Sequence, residues 1–314
     1  MKKCFALIDM GTNTFHLLIT EVDEGGQQHD FVKTKVPVRL GQGGISNGAI
    51  APEAYERAIR TLKDFRRQVD EHEVETVRAM ATSMVRNASN GDDFIKDIFK
   101  WTDIQVEVID GDKEAEFIYY GVRSAGVLDE QTSLVMDIGG GSVEFIICNK
   151  QEIFWKRSFE IGAQRLMDQF FKQDPIAPEN AEAEKVYLRE KLQPLTEAVA
   201  QYKPKVLVGS SGTFDTLCDI DAQSKGDSSR QQNQPAASVL PIDDFYQIHH
   251  DLLRKNHEER LAIPGMLEMR VDMIVLASIA VDFVLEAYNL QEIRVSAYAL
   301  KEGVLQKVLE DERV

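Results

Sequence analysis

Two short stretches set a carboxylate beside unusually bare backbone. Residues 134–147 read LVMDIGGGSVEFII: Asp137 ends one apolar run, Gly139, Gly140, Gly141 and Ser142 follow, and Glu144 stands in the next run. Three glycines weaken a strand, but they let backbone amides approach a ligand closely, and successive amides form an anion-binding nest. A carboxylate next to a phosphate nest suits a bridging Mg²⁺, which takes oxygen ligands. Residues 6–19, ALIDMGTNTFHLLI, overlay this stretch without a gap, Asp9 on Asp137 and Gly11 on Gly139. Gly11, Thr12, Asn13 and Thr14 form the corresponding nest. Either stretch alone reads equally well as a tight hairpin whose acid caps a turn. The matched pair points to a duplicated unit and two nests that clamp one phosphate group.

The elements that must position these residues repeat as well. Strands are expected at 4–9, 15–22 and 31–40, with turns at 25–30 and 41–48. A helix is expected over 51–72, where Ala54, Ala58, Leu62, Phe65 and Val69 recur at helical spacing. A strand at 74–83, a helix at 90–102, a strand at 104–110 and a helix at 112–126 complete the first half. A second strand–turn–strand–turn–strand unit fills 133–159. Further on, 205–217 reads as a buried strand entering a Gly/Ser turn and a helix. The polar stretch 221–235 reads as a surface loop or disordered segment. Helices are expected at 242–256 and 271–290, the second apolar nearly all round apart from Asp272 and Asp282. A strand, a turn and a closing helix follow from 293.

Composition bounds the chemistry. A chain of 314 residues is long enough for two domains. Its net charge of −16 disfavours non-specific binding to DNA or acidic membranes, so an anionic ligand requires a local basic site or a metal ion. Cys4, Cys148 and Cys218 are scattered, which argues against a disulfide framework or structural zinc. The apolar run before Asp9 is too short for a signal peptide, and no stretch reaches the length of a membrane span, so a cytoplasmic location is expected.

The two Asp–Gly hairpins resemble the phosphate motifs of the acetate kinase/sugar kinase/Hsp70/actin superfamily. Together IDMGTNTFHLLI, VRLGQGG, ATSMVRNASN, GDKEAEFIYYGV, MDIGGGSVEF, GSSGT and RVSAYALKEGVL resemble, in order, the short two-domain form of the exopolyphosphatase/guanosine pentaphosphate phosphohydrolase family. The resemblance implies an α/β fold of two similar actin-like ATPase (ribonuclease H-like) domains with mixed sheets and a cleft between them. Domain I would comprise 1–122 plus 299–314 and domain II 123–298. It further implies that Glu114 is a general base activating water, that Arg86 grips phosphate, and that Glu144 assists metal or water. Asp9 and Asp137 would hold Mg²⁺. Thr82 and Ser83 would donate hydroxyl hydrogen bonds, and Ser211, Gly212 and Thr213 would form a third phosphate turn.

The expected activity is Mg²⁺-dependent release of terminal phosphate from inorganic polyphosphate, or of the 5′-γ-phosphate of guanosine pentaphosphate. The expected partners are polyphosphate or guanosine penta- or tetraphosphate, with a homodimer among the assembly states and neither nucleic acid nor membrane. Lys33, Lys35, Arg39, Lys113 and Arg123 read either as a basic path for a polyanion or as solvated surface charges. His16 reads as a packed or satisfied strand histidine. A kinase of the same superfamily, a non-catalytic polyphosphate or alarmone sensor and an actin-like assembly protein are the competing readings. The sequence departs from the family where 275–280 lacks a Pro/Gly pair and where Ala297 replaces an acid.

Overall fold

A computed structural model describes residues 3–23, 28–227, 230 and 234–312. Contacts divide the chain into two units, Met1–Glu114 and Ala115–Val314. Of the turn expected at 25–30, residues 25–27 lie outside the described residues and 28–30 belong instead to the third strand; part of the polar stretch 221–235 also lies outside them.

The first unit is built on a sheet of order β3-β2-β1-β4-β5. β1 (Lys3–Met10), β2 (Phe15–Val22) and β3 (Gln28–Val36) form an antiparallel meander, while β4 (Thr76–Ala81) and β5 (Val106–Val108) add in parallel. Between β3 and β4 runs α1 (Pro52–Glu71), which starts with proline at a first-turn position that needs no amide donor. It buries Ala54, Ala58, Leu62, Phe65 and Val69, the stripe legible in the sequence. A short α2 (Ser83–Asn87) follows β4 directly, and α3 (Gly91–Thr102) precedes β5. α4 (Gly111–Ser124) begins in this unit and continues into the second.

The second unit repeats the plan. Its sheet has the order β10-β11-β9-β6-β7-β8. β6 (Ser133–Ile138), β7 (Val143–Cys148) and β8 (Ile153–Phe159) form the meander, and β9 (Val206–Ser210) pairs in parallel with β6. β11 (Ile293–Ser296) pairs in parallel with β9, and β10 (Ala237–Leu240) closes the edge antiparallel. Thus β8-β7-β6-β9-β11 corresponds strand for strand to β3-β2-β1-β4-β5. Every residue of β6, β7 and β9 is buried, the mark of strands covered on both faces.

The covering helices include α5 (Ala163–Phe170), α6 (Pro178–Lys191), α7 (Gln193–Tyr202), α8 (Ser211–Ser224), α9 (Ile242–Arg254) and α10 (His257–Leu261). α11 (Met273–Tyr288) is buried from Met273 to Leu285, as its all-round apolar sequence requires. Its one buried acid, Asp282, meets Lys185 at 2.5 Å. α8 runs on to Ser224, into the stretch expected to be a loop. α12 (Leu300–Glu312) packs backbone to backbone on α4: a Cβ at Gly303 would lie 1.7 Å from the Phe117 carbonyl oxygen. Among the described residues no helix is long and apolar enough to cross a membrane.

Candidate active site

In the first unit, β1, β4 and β5 are parallel, so their C-terminal ends share one edge of the sheet. The residues that follow those ends are the expected site residues. After β1, the Gly11 amide donates to the Thr14 carbonyl at 3.1 Å and closes the turn. The carbonyls of Thr12 and Asn13 accept from the amides of Gly41 and Arg39 at 3.0 and 2.7 Å, which pins the turn to the following loop. Thr12, Asn13 and Thr14 are all buried. After β4, Thr82 and Ser83 are buried at the start of α2. That short helix delivers Arg86 to the segment after β5. Its Nη1 donates to the Ile109 carbonyl at 2.9 Å and to Glu114 Oε2 at 2.8 Å. Both side chains are largely withdrawn from solvent.

In the second unit the glycine turn is held by the same device. The Gly139 amide donates to Ser142 at 3.0 Å. The carbonyls of Gly139, Gly140 and Gly141 accept from the amides of Ala163, Gln164 and Gly162 at the start of α5, at 2.9, 2.9 and 3.2 Å. With the carbonyls engaged, the Gly140 and Gly141 amides have no backbone acceptor among the described residues. The nest read from the sequence therefore has donors to offer.

Asp137 and Glu144 stand directly opposite each other in the β6–β7 register, on one face of the sheet and both buried. Ser210 Oγ donates to Asp137 Oδ2 at 2.6 Å, and Ser158 Oγ donates to Glu144 Oε1 at 2.7 Å. Burial raises the Asp137 carboxyl above its ordinary range, against the hydrogen bonds from the adjoining serines and the charges of Arg270 and Lys301. Two like charges directly across a strand pair repel; a cation between them relieves this. Among the described residues no group of three or more His, Cys, Asp or Glu side chains is placed to hold a metal ion. A two-carboxylate site nevertheless fits Mg²⁺, which commonly takes one or two carboxylates and completes its shell with water and phosphate.

The third turn follows β9. Ser211 adopts φ +67°, a strained conformation for a residue with a side chain, and its Oγ donates to the Ile138 carbonyl at 2.9 Å. Gly212 and Thr213 are buried in the first turn of α8. Against Gly212 lies Arg270: a Cβ there would stand 2.0 Å from the guanidinium. The Arg270 Nε is buried and has no hydrogen-bond partner among the described residues. Burial lowers the Arg270 pKa, opposed by Asp215 and Asp137.

Arg270 and Lys301, the cations that act on Asp137, were not among the residues expected from sequence. Arg270 lies in a stretch without a periodic or glycine-rich signal, and Lys301, though within RVSAYALKEGVL, was given no role there. His16 lies on β2, as expected of a packed or satisfied strand histidine. It is only partly buried and stands directly opposite Asp9, the position that Glu144 holds opposite Asp137. Of the basic-path residues, Lys33 meets Asp30 at 2.7 Å, Lys113 meets Glu107 at 2.5 Å and Arg123 meets Glu310 at 3.5 Å. These are ordinary surface pairs.

The Ppx/GppA phosphatase family model matches residues 18–312. The chain belongs to this family. Ppx/GppA resemblance extends to a putative exopolyphosphatase from Haemophilus influenzae, 28% identical, with 96% of this chain and 90% of the relative aligned. A solved exopolyphosphatase from Cytophaga hutchinsonii is 45% identical, covers 98% of each chain and superposes with a TM-score of 0.94. The Ppx-GppA enzyme of Aquifex aeolicus is 25% identical, with 98% of this chain and 100% of that one covered and a TM-score of 0.79. The two mixed sheets are those of the actin-like ATPase fold expected from the Asp–Gly hairpins.

Proposed function

We infer that the protein is an exopolyphosphatase, releasing terminal phosphate from inorganic polyphosphate. The observation that carries this reading is the withdrawn Glu114–Arg86 pair, in a chain 45% identical over nearly its full length to a solved exopolyphosphatase. Glu114 takes a proton from water as its oxygen attacks the terminal phosphorus, and the bridging P–O bond breaks with the charge left on the departing chain. Arg86 fixes that carboxylate and presents positive charge to the transferring group. Amides of the turns at 11–14 and 139–142, other than those of Gly11 and Gly139 that close the turns, bind phosphate oxygens, and Thr82, Ser83, Ser211, Gly212 and Thr213 supply further donors. Asp137 and Glu144 would hold Mg²⁺, with Asp9 assigned the same role in the first unit. When bound, Mg²⁺ neutralises charge on the phosphate oxygens.

The test is phosphate release from polyphosphate and from guanosine pentaphosphate, measured side by side with Mg²⁺ and with excess chelator. Release from polyphosphate is expected, abolished by the chelator. Cleavage of the guanosine substrate alone would reassign the substrate. Phosphate transfer from ATP to a small acceptor would favour the kinase reading. Tight binding of polyphosphate without turnover would favour the sensor.

A further inference from the structure

A cavity of about 510 Å³ opens in the second unit, walled by the C-terminal end of α8, by α9 and by α10 with the residues after it. Its volume lies within the roughly 300–1,000 Å³ of small-molecule sites. Ile220, Ile248 and Ile263 line it, joined by Ala262 and Pro264. Asp221, Asp244, Asp251 and Glu259 also line it, and Lys255 is the one basic lining residue. Lys255 is taken up by Asp251 at 2.5 Å. Just outside, Lys225 bridges Asp221 and Asp244 at 2.7 and 2.8 Å. Four carboxylates against two ammonium groups leave the mouth negative, on a chain whose formal charge is already −16. None of the residues assigned to phosphate handling lines this cavity, and its charge repels polyanions.

We propose that this pocket binds a small amphiphilic organic cation. The apolar body of such a ligand lies on the isoleucine floor, where burial is worth about 25 cal/mol per Å² of apolar surface. Its ammonium or guanidinium head sits among the carboxylates at the mouth, where the partial neutralisation by Lys225 and Lys255 leaves negative charge to satisfy. An anionic or neutral amphiphile gains the floor but not the mouth. The proposal does not depend on the hydrolase reading, because the pocket is lined by none of that machinery.

Calorimetric titration of the purified chain at pH 7 with hexylammonium, and separately with hexyl sulfate, tests it. Saturable one-to-one binding of hexylammonium is expected, with hexyl sulfate at least tenfold weaker. Ser224 is an exposed lining residue on α8, so Ser224→Trp fills the cavity without disturbing the core and is expected to abolish binding. The double variant Asp244→Asn, Asp251→Asn leaves the floor intact and is expected to weaken hexylammonium at least tenfold while leaving hexyl sulfate no weaker. Unfolding midpoints of both variants confirm that they fold. Equal affinity for the two probes, binding that survives Ser224→Trp, or no saturable hexylammonium binding up to about 10 mM would overturn the proposal.

Discussion

Arg86 Nη1 lies 2.8 Å from Glu114 Oε2, and the same nitrogen also donates to the Ile109 carbonyl at 2.9 Å. One cation thus ties the end of β5 to the first turn of α4. Truncating Arg86 takes its guanidinium away from a carboxylate that is largely withdrawn from water, a destabilising change. Arg86→Ala is expected to cost about 3 kcal/mol in urea unfolding. The double variant Arg86→Ala, Glu114→Gln should cost less than the sum of the single changes. Glu114→Gln alone keeps an acceptor for Arg86 and should fold well, yet lower phosphate release by roughly 10²-fold or more. Unchanged release would remove the base assignment.

Gly212→Ala tests the placement of Arg270. The new methyl would meet the far end of a flexible side chain rather than backbone, so the chain is expected to fold with an unfolding midpoint close to the parent's. The guanidinium must move, and phosphate release should fall about tenfold, the scale of one weakened charge-assisted hydrogen bond. A variant with parental activity would show that the position of Arg270 against this turn does not matter.

Glu184 is wholly buried on α6, and neither carboxylate oxygen has a hydrogen-bond partner among the described residues. Burial raises its pKa well above the ordinary value. The folded chain therefore holds a proton that the unfolded chain releases, and this contribution to stability is lost as pH rises above the usual carboxylate range. Glu184→Met keeps the volume and removes the carboxyl. It should stabilise the protein by about 1–3 kcal/mol at pH 8 and by less at pH 5. Urea titrations at the two pH values check both the sign and the difference.

His249 acts in the opposite direction. Its ring stacks on Phe245, its Nδ1 lies 2.9 Å from Ser278 Oγ, and burial lowers its pKa from 6.5 to about 4 despite Asp282 at 3.6 Å. The unfolded chain takes up a proton that the folded chain refuses. Stability from this group is complete above pH 6.5 and declines as pH falls towards 4, by roughly 3 kcal/mol. Lys185 and Asp282, which face the ring, are paired with each other at 2.5 Å. Introducing His249→Gln into the Glu184→Met background should flatten the acid limb of the stability profile. A limb of unchanged slope would place the titration elsewhere.

Gly303→Ala puts a methyl 1.7 Å from the Phe117 carbonyl oxygen, on a rigid helix backbone that cannot give way as a side chain can. A loss of about 3 kcal/mol is expected, the upper end of overpacking costs. Hydrogen exchange should show the loss concentrated in α4 and α12.

Much of this was legible because duplication gave the sequence an internal control. The match of Asp9 with Asp137 and Gly11 with Gly139 reappears as two sheets with corresponding strand order, and each acid stands at the same place in its sheet. The α1 stripe survived intact because helical spacing and burial are the same fact seen twice. What the sequence concealed depends on contacts between distant segments. Arg270 reaches Gly212 from a stretch of turns, and the charge of Lys301, at the start of the closing helix, acts on Asp137. The pinning of the glycine turn by the first residues of α5 is equally non-local. That His16 stands across from Asp9 was not legible, since alternation fixes a face without saying what stands across from it.

The close seat of Gly303 on Phe117 also has a consequence for the order of events in folding. The partner that locks α4 is made only after nearly all of the second unit has been synthesised. Closing so long a loop is entropically costly, and non-local contacts of this kind form late. The helix that carries Glu114 in its first turn thus gains its final support at the end of folding. A refolding chain should recover its circular dichroism before it recovers its catalytic competence.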